Sequence, residues 1–216
     1  MDAAGVDRAL LIPFPVVEDY RREHDLIASA TRSHPDRFAG TVCLNPFVPE
    51  SEFRNEVRRC REQHGFRAMK LQPQYQGLNP ISERSDFLFD AALENGLVLV
   101  CHTGTGAPYA LPALFIHPAR RYPDLRIVIA HGGGGVYALE AIVAATVCPN
   151  IYIELSTLTP HTVLEVLAHV GPERLMAGSD LPESLDTEIG KILGLPIPDE
   201  AKRAILWETP AALFGA

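Results

Sequence analysis

Short apolar segments alternate with longer amphipathic segments along the whole chain. The apolar segments are rich in β-branched residues and lack a polar face, which is typical of parallel strands that helices cover on both sides of a sheet. The pattern predicts strands at residues 9–14, 38–44, 67–71, 97–101, 126–130, 151–155 and 174–177. It predicts helices at residues 18–33, 50–64, 83–95, 136–147 and 160–170.

Proline and glycine mark the ends of several predicted helices. Pro160 and Pro198 are expected in first turns, and Gly65, Gly96 and Gly171 are expected to end helices. The strand–helix units do not repeat in sequence, and no linker, low-complexity tract or shift in composition divides them. We therefore predict a single α/β domain over residues 1–216.

Polar residues follow the ends of four predicted strands. His102, His131, Ser156 and Asp180 each stand where an apolar segment finishes. A doubly wound sheet and a (β/α)8 barrel both gather their chemistry at this end of the strands. Few strands contribute in the doubly wound sheet, whereas all the strand ends converge in a barrel. Polar residues on strands spread over most of the chain therefore favour a TIM-barrel-like fold.

The strand count is one short of a closed barrel, which needs eight strands. Residues 2–6 have the pattern of a last helical turn closed by Gly5, and they lead directly into the first predicted strand. The chain is thus expected to begin inside a strand–helix unit. Either the first strand of the barrel is absent, or the barrel is open.

The composition excludes several classes of protein. Of 216 residues, 47% are apolar and 21% are charged, which is ordinary for a globular protein and excludes disorder. The net charge of −8 argues against a nucleic-acid partner, because phosphate backbones bind clustered Lys and Arg. No apolar run is long enough to span a membrane, and the first residues lack the features of a signal peptide.

Cysteine use predicts a reducing, cytoplasmic environment. The four cysteines are far apart in sequence and form no Cys-x-x-Cys pair. Two of them lie within predicted buried strands, so we expect free and mostly buried thiols rather than two disulfides. They are Cys43, Cys60, Cys101 and Cys148.

Three strand ends carry side chains that can bind a metal. Residues 98–106 and 126–135 deliver His102 and His131 into glycine-rich turns, and residues 175–182 deliver Asp180. Two imidazoles and a carboxylate suit a divalent metal such as Zn²⁺, which takes nitrogen and oxygen ligands and keeps a position for water. Metal-bound water ionises near neutral pH, and a nearby carboxylate or histidine can take its proton.

These features also have simpler interpretations. A histidine at a strand end is often a hydrogen-bonded structural residue. The glycine run could cradle phosphate, although Tyr137 stands where a Gly-x-Gly-x-x-Gly motif needs its third glycine. Lys70 could bind metal once modified, but a surface or hydrogen-bonded lysine is commoner. The other histidines have no ligand spacing and are expected to face solvent: His24, His34, His64, His117, His161 and His169.

Six segments resemble, in order, motifs of the amidohydrolase-related family, whose members are metal-dependent hydrolases and decarboxylases built on a distorted TIM barrel. The resemblance implies that His102 is a metal ligand and that Asp180 is a ligand and proton acceptor. It implies that His131 holds the attacking water or the substrate, and in some members binds metal. Ser156 lies at the pocket rim, and its role is open. The segments are residues 65–71, 102–106, 123–134, 151–156, 174–180 and 205–215.

The chain departs from the family pattern at two places. Family members open with a strand ending in His-x-His, which supplies two metal ligands, and no His-x-His occurs in this sequence. Gln72 follows Leu71, where members often have histidine. Loss of two of about four ligands is expected to weaken metal affinity greatly. It also leaves two strand edges unpaired, which favours a homodimer.

Three functional hypotheses follow. The first is a hydrolase of a small amide, ester or lactone, in which Zn²⁺ or another divalent metal is held by His102, His131 and Asp180. His131 and Asp180 are then also the catalytic residues. The alternative within the family is a non-oxidative decarboxylase of a small aromatic or enoic acid. The third is a truncated, inactive barrel or a fragment of a longer gene. The expected partners are a small-molecule substrate and a second copy of the chain.

Overall fold

Seven parallel strands form one curled sheet in the order of the sequence. The structure, a computed structural model, describes residues 1–215. Within these residues each strand pairs with the next, and the first and last strands remain unpaired edges. The predicted seven-stranded, open barrel is therefore confirmed. The strands are β1 (Ala9–Leu11), β2 (Phe38–Val42), β3 (Ala68–Leu71), β4 (Val98–His102), β5 (Ile127–Ala130), β6 (Ile151–Glu154) and β7 (Leu175–Met176).

Helices connect the strands and cover the outside of the sheet. Asp19 caps the first helix by accepting a hydrogen bond from the Arg22 backbone N–H, and Gly65 ends the second in a left-handed conformation, as predicted. The helices are α1 (Tyr20–Ser33), α2 (Glu50–His64), α3 (Asp86–Glu94), α4 (Ile116–Arg121), α5 (Ala138–Val147), α6 (Pro160–Leu167), α7 (Leu185–Leu193), α8 (Asp199–Arg203) and α9 (Thr209–Phe214).

Several predicted helix boundaries need correction, and α1 and α5 each begin two residues later than predicted. Residues 83–85 form a separate 3₁₀ turn before α3 rather than its first turn. Helix α6 ends at Leu167, three residues before the predicted end. Gly171 does not stop this helix, because its φ of −62° is ordinary for any residue and it instead precedes a 3₁₀ turn at Pro172–Arg174.

The strands alternate between two apolar layers. One set of side chains packs beneath the helices, and the other fills the inside of the barrel. Because side chains alternate along a strand, Lys70 and His102 belong to the inner set, whereas Cys101 faces the helices. All four cysteines are free and buried, as predicted. The inner set comprises Ala68, Val98, Val100, Val128, Ala130, Met176 and Leu213.

A largely apolar groove lies between the open edges of the sheet. It has a volume of about 590 Å³ and is lined by Leu10 of β1, Ile189 of α7 and Phe214 of α9, among others. A 3₁₀ turn at Asp2–Ala4 borders it and is closed by Gly5 in a left-handed conformation, as the sequence predicts. The groove occupies the gap that an eighth strand fills in a closed barrel.

A buried polar cluster joins α1 to α2. The side chains of His24 and Glu56 are 0% exposed, and the His24 Nδ1 lies 2.7 Å from Glu56 Oε1. The other ring nitrogen, Nε2, lies 3.0 Å from both the backbone nitrogen and the carbonyl oxygen of Cys43, and Nδ1–H donates to the Glu56 carboxylate. Arg59 donates to both carboxylate oxygens. The prediction that His24 faces solvent is therefore wrong, because a carboxylate on the next helix satisfies it.

The remaining helix-borne histidines largely follow the prediction. His34, His117, His161 and His169 are exposed. The side chain of His64 is only 11% exposed and lies beside Asp25, so the prediction that it faces solvent is wrong. Among residues 1–215, no helix combines the length and the apolar character needed to cross a bilayer.

Candidate functional site

The carboxyl ends of β4 to β7 bring the predicted site residues together. The rings of His102 and His131 have their centres 4.9 Å apart. The His131 Nε2 lies 3.8 Å from Oδ1 of Asp180. Ser156 lies on the other side of the His131 ring, with its hydroxyl oxygen 2.8 Å from Nδ1. The structure thus assembles these four residues at one end of the barrel, and their roles stay predictions.

Two glycine-rich loops pack backbone against backbone beside these residues. A side-chain carbon at Gly104 would lie 2.8 Å from the backbone of Gly133, so the loop after β4 needs glycine there. Thr103 ties the loops together, since its hydroxyl donates to the Ala130 carbonyl and accepts from the Gly133 N–H. Close backbone packing therefore accounts for the glycine at position 104.

Left-handed backbone recurs at three consecutive strand ends. Within residues 1–215, the non-glycine residues with positive φ are His131 at 65°, Thr157 at 65° and Asp180 at 60°. Such conformations cost of order 1–3 kcal/mol each and persist where the surroundings hold them in place. Two of the three, His131 and Asp180, are predicted site residues, so a left-handed backbone conformation sets the direction of their side chains.

Glu154 organises the site, and sequence reasoning did not single it out. Its Oε2 accepts hydrogen bonds from the His131 backbone N–H and from the Ser156 hydroxyl, both at 2.9 Å. Its Oε1 accepts a 2.6 Å bond from the Ser156 backbone N–H. Burial raises the pKa of Glu154, while these hydrogen bonds act in the opposite direction. The available signal was a charged residue within a buried apolar strand, on the inner face two positions before Ser156.

Burial keeps both site histidines neutral near pH 7. It lowers the pKa of His131 to about 4, and the positive charge of Lys70 contributes in the same direction. Burial also lowers the pKa of His102 to about 4. The His102 Nε2 donates a 2.8 Å hydrogen bond to the Thr105 carbonyl, so its Nδ1 carries no proton when the ring is neutral.

Lys70 lies inside the barrel rather than on the surface. The residue is 7% exposed, so the first half of the expectation of a surface or hydrogen-bonded lysine is wrong. It sits on β3 in the same inward-facing row as Ala68, two positions before the strand-end Gln72. Burial lowers the pKa of Lys70, and the negative charges of Glu154 and Asp180 act against this shift. The floor of the site thus carries an amine.

The predicted metal ligands do not complete a metal site as they lie. Zinc ligands bind at about 2.0–2.2 Å, so donor atoms around one ion must be only slightly more than 3 Å apart. The His102 Nε2 is engaged by Thr105, and the Asp180 side chain is 44% exposed and 3.8 Å from His131. No three of these donors lie within 4.8 Å of one another in the described part of the chain. Metal binding by this set stays a prediction.

A different group of residues does bring three metal-binding side chains close together. His24, Glu56 and Cys60 are all buried, and their nearest donor atoms lie within 4.8 Å of one another. Both nitrogens of His24 already have partners, and Arg59 occupies both oxygens of Glu56. Burial also raises the pKa of the Cys60 thiol, which disfavours the thiolate that metals bind. The hydrogen bonds within this cluster and with Arg59 therefore account for the closeness of these three side chains, and we do not assign a metal site to them.

Comparison with solved structures shows the fold class. The 2,6-dihydroxybenzoate decarboxylase from Rhizobium is 17% identical with a TM-score of 0.82, covering 99% of this chain and 85% of the other. The 5-carboxyvanillate decarboxylase from Novosphingobium aromaticivorans, solved with manganese and 4-hydroxy-3-methoxy-5-nitrobenzoic acid, is 20% identical with a TM-score of 0.82, covering 100% and 78%. A TIM-barrel protein from Bordetella bronchiseptica is 21% identical with a TM-score of 0.81, covering 99% and 79%. The TIM-barrel-like fold is therefore confirmed.

Comparison of the sequence with protein families covers nearly the whole chain. No protein of curated function matches it in sequence. A family model described as amidohydrolase matches residues 15–216. A match of this extent, together with the barrel and the residues at its strand ends, shows that the chain belongs to the amidohydrolase family.

Proposed function

We propose that this chain is a non-oxidative decarboxylase of small aromatic acids that carry a hydroxyl next to the carboxylate. The observation that carries the proposal is the neutral, buried His131, whose Nε2 lies 3.8 Å from Asp180 at the mouth of the barrel. The similar solved structures include a 2,6-dihydroxybenzoate decarboxylase and a 5-carboxyvanillate decarboxylase, which supports this class over hydrolysis.

His131 carries the proton in the proposed reaction. Its Nε2 takes the proton of the substrate hydroxyl, which raises the electron density of the ring carbon that bears the carboxylate. The imidazolium then gives that proton to this carbon, the bond to the carboxylate breaks, and carbon dioxide leaves as the ring regains aromaticity. Burial disfavours the imidazolium, so His131 returns the proton readily. Asp180 stabilises the imidazolium while it exists.

Lys70 provides a complementary charge for the substrate. Although burial lowers the pKa of this amine, an anionic ligand beside it favours the charged form. A carboxylate bound deep in the barrel would thus be neutralised by Lys70, and the reacting ring would lie toward His131. The proposal places the acid group of the substrate inward and its hydroxyl at the strand ends.

Substrate turnover tests the proposal directly. We expect carbon dioxide release from at least one 2-hydroxybenzoate in a panel that also contains phenyl esters, amides and lactones. The variant His131→Asn should lower kcat by roughly 10²–10⁴-fold, the usual contribution of a positioned proton-transfer group. His169→Asn is the matched control, because His169 is exposed and is not one of the site residues, and it should leave kcat unchanged.

The panel also separates the alternatives. Hydrolysis of an ester, amide or lactone without carbon dioxide release would favour the hydrolase, for which the neutral His131 could act as a base toward water. No turnover of any compound by folded protein would contradict both enzymatic hypotheses and favour the inactive barrel.

Metal binding is tested separately, and no step above depends on it. We expect protein dialysed after exposure to zinc or manganese to retain well below one equivalent, because the described donors do not converge. Plasma mass spectrometry on wild type and His102→Ala measures this content. About one equivalent in the wild type, lost in the variant, would show that His102 belongs to a metal site with ligands beyond those brought together here.

A further inference from the structure

The hydroxyl of Ser156 lies between His131 and Glu154. Its oxygen is 2.8 Å from the His131 Nδ1 and 2.9 Å from the Glu154 Oε2. A hydroxyl has one proton and can donate to only one of these neighbours. The direction of this single donation decides which nitrogen of His131 carries a proton.

The surroundings of Glu154 favour one direction. Each carboxylate oxygen faces a backbone N–H, that of His131 at Oε2 and that of Ser156 at Oε1. Backbone N–H groups only donate, so both oxygens act as acceptors, and the Ser156 hydroxyl is a third donor to the same carboxylate. The Ser156 proton therefore points to Oε2, and the Ser156 oxygen accepts a hydrogen bond from Nδ1–H of His131.

We propose that Glu154 and Ser156 are positioning residues that hold His131 in the tautomer with its proton on Nδ1. The lone pair of Nε2 then faces Asp180 and the open side of the site. The inference concerns the tautomer itself, and its catalytic meaning rests on the function proposed above, in which Nε2 must begin without a proton.

The carboxylate of Glu154 also holds the backbone of His131 in place. This residue has a φ of 65°, and its N–H is the group that Glu154 holds at 2.9 Å. One side chain thus fixes both the direction in which the imidazole leaves the main chain and, through Ser156, the proton on its ring. Ser156 is 0% exposed, so water does not compete at the hydroxyl.

Nitrogen NMR on histidine-labelled protein tests the tautomer without substrate. In long-range proton–nitrogen spectra at pH 7, wild-type His131 should show the Nδ1–H tautomer, with its signals identified by their loss in His131→Asn. Ser156→Ala removes the hydroxyl partner, and the population should shift toward the Nε2–H form that imidazole prefers in water. Ser156→Thr keeps a hydroxyl and should restore the wild-type tautomer.

Glu154→Gln tests the carboxylate. A glutamine must turn its NH₂ toward one of the two backbone N–H groups, so we expect a mixed tautomer at His131. His24 provides an internal control in every spectrum, since its Nδ1–H is held by Glu56 in a separate cluster. Unchanged His24 signals show that a variant is folded.

The outcomes are decisive for the tautomer and independent of turnover. An Nε2–H tautomer in wild type, or no change in the folded Ser156→Ala variant, would overturn the inference. If the decarboxylase function also holds, Ser156→Ala should lower kcat by about tenfold or more with little change in KM, and Ser156→Thr should recover it. An inactive wild type with the Nδ1–H tautomer would count against the proposed function alone.

Discussion

Two buried histidines in this chain have similar partners on one nitrogen and different surroundings on the other. The Nδ1 of His24 is bonded to Glu56, and that of His131 is bonded to Ser156, with Glu154 behind it. The Nε2 of His24 is enclosed by the Cys43 backbone, 3.0 Å from both its nitrogen and its carbonyl oxygen. The Nε2 of His131 instead faces Asp180 at 3.8 Å. The imidazole of His24 has hydrogen-bond partners at both nitrogens and stabilises the fold. Among residues 1–215, the Nε2 of His131 has no such close partner and can exchange a proton with a ligand.

The largest expected difference is in stability. His24→Asn leaves two buried partners, Glu56 and the Cys43 backbone N–H, each short of one hydrogen bond, and each such loss costs about 1–3 kcal/mol. We expect His131→Asn to cost less than half as much, because Asp180 beside this ring is 44% exposed and Ser156 remains a hydrogen-bond partner of Glu154. Urea denaturation followed by circular dichroism measures both, with His169→Asn as the exposed control. Equal losses in the two variants would show that His131 is as structural as His24.

The loss of fold stability at low pH should come mainly from the buried cluster of His24, Glu56 and Arg59. Burial alone would raise the pKa of Glu56, but hydrogen bonds from His24 and Arg59 outweigh it and lower the pKa to about 2. A carboxyl with a lowered pKa stabilises the fold above its unfolded value near 4.5, and this contribution is lost as pH falls toward 2. The loss corresponds to roughly 3 kcal/mol of unfolding free energy.

The variant Glu56→Gln isolates this contribution. Its unfolding free energy should be lower than that of the wild type at pH 7 and should fall less between pH 4.5 and pH 2. Urea melts at a series of pH values give the two slopes. Parallel slopes for the two proteins would assign the acid sensitivity to other carboxylates.

The smallest expected effect is on the pH dependence of turnover. An ordinary histidine loses its proton near pH 6.5, which would produce a step in kcat/KM close to neutrality. Burial lowers the pKa of His131 to about 4, so its neutral form prevails throughout that range. We therefore expect kcat/KM to be level between pH 6 and pH 8 and to fall only as pH drops toward 4. A histidine step centred near pH 6.5 would contradict the environment described for His131.

Most of the fold could be predicted because its signals are local. Each predicted apolar run contains a strand, and strand order follows sequence order in consecutive β/α units. Strand β1 ends three residues before the predicted end at Phe14, and β2 ends two residues before the predicted end at Leu44. The open edge was also predictable from the strand count.

The site was only partly predictable because its contacts join distant segments. The strand-end positions identified His102, His131 and Asp180, but no local pattern pairs Glu154 with the backbone of a residue 23 positions earlier. His24 and Glu56 were missed for the same reason, although Glu56 shares the apolar face of α2 with Phe53 and Cys60. A charged residue inside an apolar stripe is the sequence signal of such a buried pair.

The unpaired edges of the sheet have a consequence for the geometry of the mouth. A closed barrel has a radius set by the number and stagger of its strands. Here no ladder joins β1 to β7, so the radius follows from how tightly the outer helices bend the sheet. The separation between His102 on β4 and Asp180 after β7 is therefore an adjustable dimension of the molecule, and any contact that tightens the curl draws these two side chains together.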